Sequence, residues 1–324
     1  MECGRWIMRI VSSAAKSVAC RLLSVVGLAV VGQGLFAQET EVNATQCTQP
    51  IYLTFDTGHM GVAQLVSDVL ARQKVRATFF LANEPTQTGG FSLDEVWAPW
   101  WKALADQGHA FGSHTFDHVY WIGDLSNGRF QMRPSSGPDA KRMREWTSQE
   151  YCSELSRVSE RFSDMTGRNM LPIFRAPGGK TSPALLQAAA SCGYAHAGWS
   201  PAGFLGDELS SERYPNAELL ERALRSIRTG DILLAHLGIW SRKEPWAPQV
   251  LEPLIEGLKK KGFCFATLEA HPGFRDGILA RMTTVMPGPS QQNESLNVEQ
   301  NVSPITDPDS LSVSDLLVPQ NQSR

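Results

Sequence analysis

The chain has 324 residues, of which 42% are hydrophobic and 19% are charged, and its formal net charge is −3. These values are typical of a soluble globular enzyme, and they exclude a wholly disordered chain, a coiled coil and a protein with many membrane spans. The near-neutral charge also argues against nucleic acid as a partner, because nucleic-acid binding usually needs a basic surface.

The N-terminal segment has the pattern of an export signal. Four basic residues lie before position 22, and a run of apolar and small residues occupies 22–37. A basic segment followed by an apolar core and small residues is typical of a signal peptide. The apolar run is also shorter than the roughly 20 residues that a membrane-spanning helix needs. We predict that residues 1–37 are removed on export to the periplasm or the cell exterior, which leaves no stable membrane span. An uncleaved anchor is the alternative.

The middle of the chain alternates short apolar runs with helical patterns. Strands are predicted over 51–55, 75–81, 109–113, 171–175, 194–199, 231–237 and 263–268. Helices are predicted over 61–73, 93–107, 147–166, 182–191, 217–227 and 249–261. Ser92 is expected to cap the second helix, and Pro183 suits the first turn of the fourth. This order predicts an α/β domain with a mostly parallel sheet, open or closed.

Two further segments interrupt or follow this alternation. The connection over 119–146 is longer than loops usually are, so it either covers the active face or is a passive surface insertion. The C-terminal sequence is rich in Ser, Gln, Asn and Pro. We therefore expect a single domain over 48–275 and a disordered polar tail over 276–324.

Ionisable residues collect where the predicted strands end. Asp56 ends the first strand, His114 and His118 follow the third, Arg175 ends the fourth and His236 lies in the sixth. A lone histidine is more often a packing residue than a ligand. However, parallel α/β folds keep their active sites at the C-terminal ends of their strands, so the five together predict such a site.

The sequence HTFDH suggests a metal site. Residues four apart share one face of a helix, and two imidazoles placed in this way can bind Zn²⁺. Asp56 is a candidate general base toward water, and His236 a candidate acid toward a departing amine. The charge of Arg175 would hold Asp56 ionised.

Five motifs occur in one order: TFDTG, HTFDH, RAPGG, a segment around Trp199, and LLAH. Together they resemble the NodB-homology polysaccharide deacetylase family over about residues 48–270. The resemblance implies a distorted single-domain (β/α) barrel with mostly parallel strands. It also implies metal-assisted hydrolysis of acetyl groups on an N-acetylated polysaccharide or cell-wall glycan.

The resemblance assigns roles residue by residue. Asp56 matches the catalytic base, His236 the general acid and Arg175 the residue that orients the base. His114 and His118 match the ligands of a divalent metal, with zinc as the expected ion.

The substrate-binding positions follow from the same motifs. Pro177 shapes the loop of the RAPGG motif, and the backbone N–H near Gly178 matches a group that stabilises the oxyanion. Trp199 and Leu234 match walls of the acetyl pocket.

Two positions depart from the family pattern. Thr57 stands where the family has the aspartate that provides the third metal ligand, so metal affinity is expected to fall. Asp56 itself, a water or His59 are candidates for the vacant position. Gly198 stands where the family has an aspartate that partners the general acid, and Asp207 is a candidate replacement.

Four cysteines remain after the leader, and they allow three pairings. The first and last strands of a closed barrel are neighbours, so we predict a disulfide between Cys47 and Cys264. A second, between Cys152 and Cys192, would then join adjacent layers.

Other functions compete with glycan deacetylation. The two departures make a non-catalytic carbohydrate-binding protein the main alternative, and a related barrel could hydrolyse a different amide. The retained acid, base, arginine and histidine pair keep hydrolysis as the leading prediction. For the enzyme, Asp56→Asn and His236→Ala are each expected to lower kcat by about 10²–10⁴ with little change in stability.

Overall fold

The computed structural model of the protein describes residues 47–284. The predicted signal peptide and most of the predicted tail lie outside the described residues. Within 47–284, no helix has the length and apolar character needed to cross a membrane.

Ten strands and seven helices follow one another along the described chain. The strands are β1 (Pro50–Asp56), β2 (Thr78–Leu81), β3 (Ala110–Ser113), β4 (Val119–Asp124), β5 (Phe130–Pro134), β6 (Arg144–Trp146), β7 (Ile173–Phe174), β8 (Ala195–His196), β9 (Ile232–His236) and β10 (Cys264–Phe265). The helices are α1 (Ala63–Gln73), α2 (Ala98–Asp106), α3 (Ser148–Thr166), α4 (Pro183–Ser191), α5 (Asn216–Ser226), α6 (Glu252–Lys260) and α7 (Pro272–Thr284).

Seven strands form one parallel sheet that curls into an incomplete barrel. Its order is β10-β1-β2-β3-β7-β8, and β9 pairs with β1. After β8 the chain runs alongside β9. Ser200 N donates to Ile232 O at 3.0 Å, and Leu205 N donates to Leu234 O at 3.3 Å. The predicted mostly parallel, distorted (β/α) barrel is therefore confirmed.

The outer helices pack on the sheet through apolar side chains at helical spacing. On α1, Val66, Val69 and Leu70 are buried at intervals that place them on one face, and they belong to the same core cluster as Phe79 of β2. The start of α3 has a capping box, in which Thr147 is the N-cap.

The predicted N-cap of the second helix is wrong. A 3₁₀ turn over Glu95–Trp97 precedes α2, and Ser92 lies outside both. The Ser92 hydroxyl instead donates to Ala82 O and accepts from Glu84 N at 3.0 Å. These two bonds stabilise the connection that follows β2.

The long connection over 119–146 is a small antiparallel sheet. Strands β4, β5 and β6 pair in that order. In β5, buried and more exposed side chains alternate, as expected for a strand with one covered face. The segment therefore has its own secondary structure, which the sequence analysis did not predict.

The end of the domain also differs from the expectation. Helix α7 covers the predicted boundary at residue 276, and Ile278 is buried against a core cluster. The first residues assigned to the tail are thus part of the packed domain.

Both predicted disulfides are present. Cys47 and Cys264 are bonded with their Cα atoms 5.9 Å apart, because β1 and β10 are neighbours in the sheet. Cys152 of α3 and Cys192 after α4 are bonded at a Cα separation of 6.0 Å.

Candidate active site

Asp56 lies at the C-terminal end of β1 and is almost fully buried. Its Oδ1 accepts a hydrogen bond from Arg175 Nη1 at 2.7 Å, and its Oδ2 lies 3.4 Å from His114 Nε2. Burial by itself raises the pKa of Asp56, but the charge and hydrogen bond of Arg175 and the charge of His236 outweigh it and hold the pKa below its usual range. The carboxyl is therefore ionised at neutral pH.

Arg175 is completely buried and has partners on several sides. Its Nε donates to Ala197 O and its Nη2 to Gly198 O, both at 3.0 Å. The guanidinium lies 4.2 Å from the ring centre of Phe80 and 5.7 Å from that of Trp199. Although Gly198 has no carboxylate, its carbonyl helps to hold the arginine.

The HTFDH segment brings its two histidines together, but not on a helix. It is a turn between β3 and β4, in which Thr115 and His118 have left-handed φ angles of 62° and 46°. Thr115 Oγ1 accepts from Val119 N at 2.7 Å and stabilises the turn. The imidazole centres of His114 and His118 are 4.9 Å apart. The predicted helical face is therefore wrong, whereas the predicted proximity is confirmed.

The hydrogen bonds of these histidines select one tautomer. His114 Nδ1 lies 2.8 Å from Arg175 O, and because a carbonyl only accepts, Nδ1 carries the proton. His118 Nδ1 lies 2.7 Å from Ser135 Oγ, whose own proton goes to His118 O at 3.1 Å, so here too Nδ1 donates. In this tautomer the Nε2 atom of each histidine carries no proton and has a free lone pair, as in histidines that bind metals.

These two histidines fit a divalent metal. Burial lowers the pKa of His114 to about 4, which keeps the imidazole neutral. Among residues 47–284, however, no three His, Cys, Asp or Glu side chains already form a ligand cluster. His59, a candidate third ligand, packs edge-on against Trp240, and its Nδ1 accepts from Gly61 N at 3.0 Å.

A carboxylate that the sequence analysis missed lies beside Thr57. The Thr57 hydroxyl donates to Glu84 Oε2 at 2.7 Å. Glu84 belongs to none of the recognised motifs and follows β2 in an irregular connection, so the only available signal was a lone acidic residue after a buried strand.

The candidate acid, His236, lies opposite Asp56 in the β1–β9 register. Its Nδ1 is 3.2 Å from both carboxylate oxygens of Asp207, and its backbone N donates to the same carboxylate at 2.7 Å. Burial lowers the pKa of His236, but the charge of Asp207 more than offsets this and raises it to about 10. Asp207 is thus the carboxylate partner of His236, a role that Gly198 cannot fill because it has no side chain.

The remaining predicted site residues line the same end of the barrel. Pro177 is buried and is followed by Gly178, whose φ of 67° is in the left-handed region. Tyr120 of β4 lies against Gly178, since an added Cβ there would approach its ring to 3.0 Å. The antiparallel sheet therefore contributes Tyr120 to this end of the barrel, which agrees with the first of the two alternatives predicted for 119–146.

Trp199 and Leu234 flank the arginine and the acid. The Trp199 ring packs against Gly179, where an added Cβ would come within 2.5 Å of it. Leu234 is buried and lies two residues before His236 on the same strand, so both side chains point to the same face.

A cavity of about 260 Å³ opens next to the candidate acid. Its lining includes Asp207, His236, His59, Trp240, Arg242 and Trp246. Trp240 is 62% exposed, so an indole face is available beside His236.

Comparison with known proteins shows which family the chain is similar to. The family model described as polysaccharide deacetylase matches residues 43–197, a range that contains the aspartate, both histidines and the arginine. The chain resembles the polysaccharide deacetylase family. The resemblance inferred from the five motifs is thus confirmed, as is the prediction of a hydrolase of this kind.

Two relatives show what this deacetylase is similar to in sequence. It is 27% identical over 220 residues to the peptidoglycan-N-acetylmuramic acid deacetylase PdaA of Bacillus subtilis, covering 68% of this chain and 70% of that one. It is also 27% identical over 238 residues to the chitooligosaccharide deacetylase of Azorhizobium caulinodans, covering 69% and 95%.

A solved structure supports the fold. The family 4 acetyl xylan esterase of Clostridium thermocellum, in complex with a cobalt ion, superposes with a TM-score of 0.53. It is 19% identical and covers 70% of this deacetylase and 92% of its own chain.

Proposed function

We propose that this deacetylase hydrolyses the acetamide of an N-acetylated polysaccharide or cell-wall glycan, with Asp56 as base and His236 as acid. The observation that carries the proposal is the pairing of these groups across β1 and β9. One is an ionised carboxylate beside Arg175, and the other is an imidazole whose pKa Asp207 raises. Environments that push two pKa values in opposite directions are typical of acid–base pairs.

The proposed reaction is balanced by these two groups. Asp56 accepts a proton from water, and the water oxygen forms a bond to the acetyl carbon. His236 gives a proton to the amide nitrogen as the carbon–nitrogen bond breaks, which releases acetate and leaves a free amine on the sugar. Arg175 holds Asp56 in place, and the backbone near Gly178 stabilises the oxyanion.

His114 and His118 would hold a divalent metal, with zinc expected, and a bound metal would polarise the acetyl carbonyl and lower the pKa of a coordinated water. The glycan is proposed to bind along the cavity beside His236, against Trp240, with Trp199 and Leu234 at the acetyl group. The relatives named above motivate the substrate class.

The enzyme is further proposed to act outside the cytoplasm. Two disulfides are consistent with an oxidising compartment. In this proposal, residues 1–37 are cleaved off and the deacetylase domain begins near residue 48. Mass spectrometry of the mature chain tests the cleavage, and an intact Met1 would exclude it.

Turnover separates the enzyme from a carbohydrate-binding protein. The mature chain is incubated with chito-oligosaccharides and with N-acetylated peptidoglycan fragments, and acetate and free amine are measured. Equal amounts of both products are expected. Binding without release of acetate would instead support the non-catalytic alternative.

A further inference from the structure

Thr57, which stands where the family has an aspartate, is hydrogen-bonded to the carboxylate of Glu84. Thr57 is buried, and its hydroxyl accepts from Ala82 N at 3.1 Å. Its single proton therefore goes to Glu84 Oε2, 2.7 Å away. A hydroxyl that donates to a carboxylate in this way stabilises the ionised form.

Glu84 is held at this place by its own backbone. Glu84 N donates to Ser92 Oγ at 3.0 Å, and Ser92 N donates back to Glu84 O at 2.9 Å. Ser92 also donates to Ala82 O, so both ends of the short segment are fixed against one serine.

Hydrogen bonds place Glu84 on the metal-binding side of the site. Its carboxylate accepts from Thr57, the residue after Asp56, and Asp56 Oδ2 lies 3.4 Å from His114 Nε2. The ring of His118 lies 4.9 Å from that of His114.

The other side-chain candidates for a third ligand have competing roles. Asp56 is the proposed base, and its Oδ1 accepts from Arg175 at 2.7 Å. His59 uses Nδ1 toward Gly61. By contrast, Glu84 Oε1 accepts no hydrogen bond from any residue in the described part of the chain, so it is available to a ligand.

We propose that Glu84 provides the carboxylate oxygen that Thr57 lacks, and acts with His114 and His118 as the third protein ligand of the metal. The three side chains do not yet form a ligand cluster, so a rotation of the Glu84 carboxylate about its own side-chain bonds is part of the proposal. It rests on the proposed function only in taking the two histidines as ligands. Compared with the family pattern, the negative charge of the ligand set would come from Glu84 instead of an aspartate at position 57. The total charge of the ligand set would be the same.

Metal affinity tests this assignment without any assay of turnover. Metal-free mature protein is titrated with Zn²⁺ by calorimetry and with Co²⁺ by its visible absorption. Glu84→Gln keeps the shape of the side chain and removes its charge, and we expect at least about a tenfold loss of affinity. Glu208→Gln is the matched control, because Glu208 is an exposed acid whose charge partners are His236, Asp207 and Asp56. We expect it to leave metal affinity unchanged.

A second variant moves the charge back. In Thr57→Asp, two carboxylates would stand side by side, so the affinity gain should be small. In Thr57→Asp combined with Glu84→Gln, only the restored aspartate remains, and affinity should recover from that of Glu84→Gln. Melting temperatures check that each variant folds, and Glu84→Asp, one methylene shorter, replaces Glu84→Gln if that variant does not.

Three results would overturn the assignment: wild-type affinity in Glu84→Gln, no recovery in the double variant, or no metal binding by the wild-type protein. If the wild-type protein binds no metal but still releases acetate, the assignment fails while the proposed deacetylation stands.

Discussion

The two halves of the candidate site are built differently. The base half consists of Asp56, Arg175 and His114, which are buried at the ends of three strands of the parallel sheet. The acid half consists of His236, which ends β9, and Asp207, which comes from the connection between β8 and α5 and borders the open cavity.

This difference shows where a site can change its sequence and keep its chemistry. In the base half, strand register fixes each side chain, so the family motif and the geometry coincide. In the acid half, the family's carboxylate position is Gly198, and the charge beside His236 comes from Asp207. A connecting segment can supply a replacement that no strand position could.

Removal of the base should have the largest effect. Asp56→Asn is expected to lower kcat by about 10²–10⁴, because the attacking water loses its proton acceptor. The structure revises our expectation for stability, since the variant leaves the fully buried Arg175 without its counter-charge, a change that costs about 3–5 kcal/mol. The measurements are kcat and the free energy of unfolding in urea. Asp68→Asn, an exposed acid on α1, is the control, and full activity in Asp56→Asn would refute the base assignment.

The acid half should respond through pH. Asp207→Asn removes the charge that raises the pKa of His236 to about 10, so the basic limb of the kcat profile should move to lower pH. The loss of rate near neutral pH should be smaller than for Asp56→Asn, because His236 itself remains.

The same variant has a predictable effect on stability. The pKa of His236 is raised by folding from an ordinary 6.5, so its stabilising contribution is fully present below about 6.5 and disappears as the pH rises through about 10. Asp207→Asn should therefore destabilise the protein most at acidic pH. Urea unfolding at several pH values checks this, and a stability loss that does not depend on pH would contradict it.

The smallest effect is expected from the hydroxyl that orients His118. Ser135→Ala removes the acceptor for Nδ1, and changes of this kind typically cost about 10–100-fold in metal affinity. Ser136→Ala is the matched control, because the neighbouring hydroxyl is buried and has no partner in the part of the chain that is described. Calorimetric titration with Zn²⁺ compares the two. Equal affinities would show that the antiparallel sheet does not support the metal site.

Residues on strands could be placed from the sequence. Asp56, Arg175 and His236 end apolar runs, and parallel order brings such ends together. The HTFDH spacing correctly indicated that its histidines meet, but the same spacing suits a helix and a tight turn. Only the left-handed φ of Thr115 and His118, which sequence pattern does not encode, separates the two.

The connecting segments could not be placed in this way. Glu84 and Asp207 reach the site through irregular backbone, where no periodicity links sequence position to direction. The sequence of strand β5 did carry a signal, the alternation of apolar and polar residues over 130–134. This alternation spans too few residues to be distinguished from a loop. The shorter strands, such as β7, also owe their length to neighbours rather than to propensity.

The disulfide between Cys47 and Cys264 turns most of the enzyme into a covalent ring. Every candidate catalytic, metal-binding and substrate-binding residue lies between these two positions, from Asp56 to His236. The connections that reach the surface are the usual targets of proteolysis. A single cut in any of them opens the ring but releases no fragment, so a nicked molecule keeps its base and its acid covalently joined.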